Sequence, residues 1–203
     1  MKRYFSVIFF ALLIIPTSAF AYDLSQSEFE MLPPHCQAKY AEMYQLGKVP
    51  NISINPNKYH PKLWQRRAGS AWVHMHHYCP ALKDLNNAKI NAGKRGTLLP
   101  LAIGNLEYQI SHTKWTPSNY WLLAEAHMKL AEADELGNRF GEAIKQYNEA
   151  IKVYPKNYRI YLGLSRLLAK SGNRDEALKV VREGLKQVPK SKTLKRQEKR
   201  LMK

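Results

Sequence analysis

Cysteine is nearly absent from this chain of 203 residues and acidic side chains are scarce: there are two cysteines, and 16 Asp+Glu against 32 Lys+Arg, for a formal net charge of +16. Two cysteines exclude a disulfide-dense mini-scaffold, and the lack of any Cys-x-x-Cys-His excludes c-type haem attachment. Only one long apolar run exists, at the N-terminus, which excludes a polytopic membrane protein. Strand-type alternation is missing over any useful length, so the fold class is all-α. No Gly-rich phosphate loop, His-Glu-x-x-His, Gly-x-Ser-x-Gly or clear carboxylate pair occurs, and the chain reads as a non-enzyme without a cofactor. What it does hold is core material, 45% hydrophobic and 11% aromatic residues. That suffices for one or two packed domains and argues against disorder.

Residues 1–21 have the three parts of a secretory signal peptide. Met1-Lys2-Arg3 is basic, Tyr4 to Ile15 is apolar except for Ser6, and Pro16-Thr17-Ser18-Ala19-Phe20-Ala21 ends in Ala-x-Ala. Cleavage is expected after Ala21. An uncleaved anchor competes with that reading, but Pro16 and the small residues after it suit a peptidase better than a spanning helix. No cysteine follows the run, so nothing indicates a lipid-modified N-terminus.

Export changes the meaning of Cys36 and Cys79, because an oxidising compartment favours a disulfide over free thiols. Closing a loop of about 44 residues removes unfolded-state entropy worth on the order of 4 kcal/mol in the chain-entropy picture. A metal site is the alternative: His35 adjoins Cys36, and His74, His76, His77 and Cys79 fall within six residues. Against it, oxidised sulfur is no thiolate ligand, the spacing fits no standard zinc pattern, and of the three histidines only His74 and His77 share a helix side.

Along the remaining chain, residues 22–32 are polar and mixed and are expected to drape over the body. Pro33-Pro34 can open a helix that carries Cys36, Tyr40, Met43 and Tyr44 on one side until Gly47 stops it. Residues 48–62, with Pro50, Pro56 and Pro61, read as an extended loop. Trp64 to about Ala92 looks like one helix, with a kink or break near Cys79 imposed by Pro80. Gly93-Lys94-Arg95-Gly96 ends it, and a shorter helix follows at about 98–112. From Pro117 the rhythm is regular, with helices near 118–136, 139–153, 157–171 and 174–187. The division is 1–21 signal, 22–116 atypical helical region, 117–190 two repeats and 191–203 a basic end-cap helix.

The repeat has a period of 34 residues. Glu142, Ala143, Tyr147, Ala150 and Pro155 are matched by Glu176, Ala177, Val181, Gly184 and Pro189. The small residue allows close helix approach, the large one fills the space between, and the proline ends the second helix. Within the second copy, Tyr161, Leu164, Leu168, Gly172, Ala177, Gly184 and Pro189 stand where the tetratricopeptide repeat pattern places an aromatic, a Leu, a large residue, a turn Gly, Ala, a small residue and Pro. Here the chain resembles that family, with Ser165 and Val181 as departures. The first copy matches less well in its first helix, where Gly137 to Ala143 counts one residue longer than Gly172 to Ala177.

The resemblance implies helical hairpins stacked as a short right-handed solenoid, and an exported bacterial scaffold whose first helices line a concave surface for a peptide or partner helix. It places Arg159, Leu162, Arg166, Ala169 and Lys170 in that groove, the cations suiting an acidic ligand; the first copy offers Glu125, Met128 and Glu132. Two units cannot bury their faces alone, so Trp64–Tyr78 with Leu98–His112 is expected to form a degenerate hairpin against them. The leading expectation is a periplasmic adaptor that binds another envelope protein. The alternatives are an anionic membrane surface or envelope polymer held by the basic C-terminal helix, and a His/Cys metal protein or enzyme using His74 and His77. No nucleic-acid motif is present. The charge is uneven: residues 186–203 hold eight basic side chains against Glu198 alone.

Overall fold

Caps and prolines set the helix limits in the computed structural model, which describes residues 24–49 and 51–203; the expected signal segment, 1–21, lies outside the described residues. Among the described residues there are ten α-helices and no strand. None of the helices is long and apolar enough to cross a membrane.

The stretch read as draping, 22–32, contains helix α1 (Gln26–Met31). Ser25 opens it with a capping box: its hydroxyl accepts from the Glu28 amide at 3.3 Å, and the Glu28 carboxylate accepts from the Ser25 amide at 2.7 Å. Fully buried Phe29 anchors the helix. Helix α2 (Pro34–Gln45) begins on a proline, as expected, and Gly47 follows it with φ +67°. The stretch read as an extended loop, 48–62, holds a 3₁₀ turn over Pro56–Lys58 and gives its last two residues to the next helix, and its Val49, Ile52 and Ile54 are buried in the core.

The single helix expected over 64–92 is broken, but not at Pro80. Helix α3 (Pro61–Ala68) ends at Gly69, whose φ of +56° and ψ of −137° suit glycine alone. A 3₁₀ turn over Gly69–Trp72 then leads into α4 (Met75–Ile90), which runs through Pro80. Pro80 forfeits one backbone bond near the helix start, a smaller disruption than the forced turn at Gly69. A further 3₁₀ turn, Ala92–Lys94, is capped by the Asn91 side chain at 3.2 Å, and α5 (Arg95–His112) starts directly after it. Arg95 and Gly96 are therefore helical. The upstream hairpin is α4 with α5 rather than Trp64–Tyr78 with 98–112, and α5 packs on the next helix, α6 (Tyr120–Leu136).

The repeat follows as α7 (Phe140–Val153), α8 (Tyr158–Lys170), α9 (Arg174–Gln187) and α10 (Lys192–Leu201), with neighbours packed in sequence and α10 on both α8 and α9. The extra residue counted after Gly137 does not exist structurally. Asn138 takes a left-handed φ of 59° where Gly172, 34 residues later, has 83°. The closing bonds keep the same offset: Arg139 N–H to Asp134 C=O at 2.8 Å matches Asn173 N–H to Leu168 C=O at 2.9 Å. Helices α7 and α9 coincide end for end under a shift of 34. The Asn157 and Ser191 side chains, also 34 apart, cap α8 and α10. Helix α10 thus occupies the place of a third first helix.

Two glycines mark close approaches between the repeat helices. A Cβ on Gly184 would lie 2.7 Å from the Tyr161 ring, and one on Gly163 would lie 2.6 Å from the Tyr147 ring. Helix α6 joins the two halves of the molecule. Leu122, Ala126 and Leu130 enter the upstream core with Phe29, Tyr40 and Tyr78, whereas Ala124, Met128 and Ala131 enter the repeat core with Tyr147, Ile160 and Leu164. Cys36 and Cys79 are bridged, S–S 2.12 Å and Cα–Cα 5.4 Å, tying α2 to α4.

Candidate binding groove

The first helices α6, α8 and α10 flank a groove of about 490 Å³. Arg159, Leu162 and Arg166 of α8 line it, at the spacing of three to four residues that keeps one helix side in line. Met128, Glu132 and Glu135 of α6 form the facing wall, and Thr193 of α10 closes one end. Lys170 is not among them. Its ammonium bonds Glu135 at 3.1 Å and sits over the Phe140 ring, 5.9 Å from the centroid, in an adjoining recess of about 440 Å³. Glu132 and Glu135 border both spaces. Sequence spacing placed Lys170 on the right side of α8 but had no means of foreseeing a carboxylate 35 residues upstream.

Both groove carboxylates are already satisfied. Glu132 receives Lys89 at 2.6 Å and Lys129 at 2.9 Å, and Glu135 receives Lys170. Burial works to raise the Glu132 pKa, but the two ammonium groups overcome it and hold the carboxyl below its ordinary value. Neither Arg159 nor Arg166 has a carboxylate within ion-pair distance among the described residues, and both are exposed. The groove therefore presents two guanidinium groups outside any ion pair among the described residues, with Leu162 between them, opposite a wall whose charge is neutralised; the Arg159 charge also acts at longer range on the Glu125 carboxyl. Tyr147 also lines the space, against Gly163. Burial pushes its phenol far above its ordinary pKa, so the hydroxyl remains a donor.

Glu125 stands one repeat before Arg159 but does not reach this groove. It lies beneath the upstream region, with an oxygen 3.8 Å from His35 Nε2. The His35 ring is enclosed by Trp121, Trp64 and Tyr78, with centroids at 5.2, 5.7 and 5.8 Å. Burial first, and the Arg67 charge second, press the His35 pKa down to about 4. Burial also raises Glu125. At 3.8 Å, too long for a hydrogen bond, the contact does not offset the cost of charging either group. The upstream region thus seals the end of the first-helix row. This closure went unread because nothing in α6 itself marks which side a separate region covers.

The histidines divide their attention. His77 Nδ1 is 2.6 Å from Asn105 Oδ1, and its ring lies tilted by 33° against Tyr108 at 3.9 Å; His112 stacks on Tyr108 at 3.9 Å, and His74 lies 5.3 Å from His112. His76 Nδ1 meets the Val73 carbonyl. Cys79, the thiol of the metal alternative, is bonded to Cys36 instead. Among the described residues no three His, Cys, Asp or Glu side chains are grouped to hold a metal ion.

Residues 137–197 match the family model of the tetratricopeptide repeat, which spans α7, α8 and α9 and reaches into α10, Arg159 and Arg166 included. That segment is a tetratricopeptide repeat region, and such repeats support a role as a protein–protein interaction scaffold. No curated protein matches the chain.

Proposed function

We propose that the chain is an exported scaffold without catalysis of its own, which holds an acidic segment of another envelope protein in the groove between α6, α8 and α10. The observation that carries this reading is the pair Arg159 and Arg166, left without carboxylate partners on either side of Leu162 while Glu132 and Glu135 are bonded to lysines. Charges kept unpaired beside an apolar side chain suit a ligand that supplies the anions, and charge-assisted bonds are the stronger class of hydrogen bond. The basic, apolar and Ala-x-Ala segments of residues 1–21 support delivery to the periplasm.

Two experiments test it. Affinity capture from an envelope extract yields a stoichiometric protein with the wild type and loses it with Arg159→Glu plus Arg166→Glu; equal recovery defeats the groove. Mass measurement of the protein isolated from the envelope gives a chain beginning at Tyr22, and a chain that retains Met1 defeats cleavage.

A second reading rests on α10, whose exposed Lys192, Lys195, Arg196, Lys199 and Arg200 have no ion-pair partner among the described residues. Near an anionic bilayer such residues contribute roughly 1 kcal/mol each. Leu194 and Leu201 of the same helix are buried, so removing α10 would expose core. The informative variant is Lys195→Glu with Lys199→Glu, and vesicle binding that survives it sets this reading aside.

A further inference from the structure

The groove's charge pattern also constrains the shape of what fills it. Resting on the groove-binding reading above, we infer that the occupant is an α-helix of the partner carrying acidic side chains at i and i+7, with an apolar residue at i+3 or i+4 between them. Arg159 and Arg166 are seven residues apart on α8, which at 1.5 Å per residue separates them by about 10.5 Å along the helix, on nearly one line. Leu162 lies between them and Met128 faces it from α6. The remaining groove cation, Lys129, is bonded to Glu132, so the demand is for two anions and one apolar contact.

An extended strand meets that demand poorly. Its same-side residues recur about every 6.7 Å, so two carboxylates on one side fall about 6.7 or 13.4 Å apart, missing the arginine spacing by roughly 3 Å or more. A second helix lying along α8 repeats its own side chains at about 10.5 Å and reproduces the acid, apolar, acid order. Next to Leu162, Gly163 carries no side chain because the Tyr147 ring packs against its backbone, so the apolar floor between the two arginines is Leu162 with Tyr147. A polyproline helix comes nearest among the other conformations, at about 9.3 Å between residues i and i+3.

Three synthetic peptides separate these forms against the full-length protein by fluorescence anisotropy. The first is a side-chain-stapled helix with Glu at i and i+7 and Leu at i+3 and i+4. The second has the same composition with Glu at i and i+5, and the third is a polyproline peptide with Glu at i and i+3. The stapled helix binds, at least about tenfold tighter than either control. It loses at least about tenfold on Arg159→Gln or Arg166→Gln, in variants whose melting temperature is unchanged. Equal binding of the i+5 or polyproline peptide overturns the inference, as does a lack of saturable binding by the stapled helix at millimolar concentration. If affinity capture is lost in the charge-reversed protein while the peptides fail to discriminate, the groove stands and the helical occupant falls. If capture is unaffected by charge reversal, both fall.

Discussion

His35 makes the stability of this protein depend on pH in a calculable way. Its ring is 5% exposed, packed among Trp64, Tyr78 and Trp121 beside the Arg67 guanidinium, and its pKa lies at about 4 against an ordinary 6.5. The folded pKa is the depressed one. Between pH 6.5 and 4 the unfolded chain therefore binds a proton at this position that the folded chain refuses, and stability falls as the pH falls. At about 1.4 kcal/mol per unit, a gap of roughly 2.5 units costs about 3 kcal/mol, complete once the pH is below about 4. Glu125 acts in the opposite sense, since its raised pKa gains stability on protonation, but that gain begins only near its own folded pKa. Partly buried His127, also lowered by burial, adds to the acid loss and stays constant between variants.

A differential measurement isolates the effect. Urea unfolding of the wild type and His35→Phe at pH 7.0, 5.5 and 4.5 gives two stability profiles. The wild type sheds roughly 2 to 3 kcal/mol more than the variant across that range, most of it between pH 6.5 and 4.5. The aromatic replacement keeps a ring in the slot, so its absolute stability is incidental and only the difference in slope matters. Parallel profiles refute the reasoning. So does an NMR titration that finds the His35 ring protonating near pH 6.5 in the native state.

Other consequences are sharper in sign than in size. Replacing Cys36 and Cys79 by Ser lowers stability by on the order of 4 kcal/mol in urea melts, and two free thiols in the natively purified protein contradict the bridge. Gly163→Ala forces a methyl to 2.6 Å from Tyr147 and costs about 1–3 kcal/mol, whereas Gly141→Ala, with nothing within 4 Å on helix α7, gains about 0.5–1 kcal/mol from helix propensity. Thermal melts that rank these two the other way remove the close-approach account. Ser25→Ala dismantles the capping box and costs about 1 kcal/mol, and hydrogen exchange shows the loss first in residues 26–31. No change in exchange there denies the cap its role.

Legibility in the sequence tracked how local the cause was. Helices α7 and α9 were readable because their limits are set within a turn or two, by the bends near Asn138 and Gly172 and by Pro155 and Pro189 just past their ends. The side of α8 that carries Arg159, Leu162 and Arg166 follows from spacing alone. What escaped had a distant cause or a misjudged one. Lys170 is drawn away by Glu135, and Glu125 is covered by His35 from a separate region. Pro80 looked like the stronger breaker, yet the backbone turns at Gly69, where a Cβ would come within 3.1 Å of Ser118 Oγ from a loop nearly fifty residues on. The capping box at Ser25 and Glu28 was local and present in the sequence; the polar composition around it obscured the pattern. The period of 34 was legible in the second helices, but its continuity through the preceding turn needed the backbone, because Asn138 does the work of a glycine and made the first copy look longer than the second.

The most direct test of the central claim is hydrogen–deuterium exchange of the protein with and without its captured partner. Slowed exchange in residues 158–170 of α8, with the facing turn of α6 around Met128 to Glu135, is the predicted result. Protection confined to α10 or to the region before residue 116, with α8 unchanged, would contradict it.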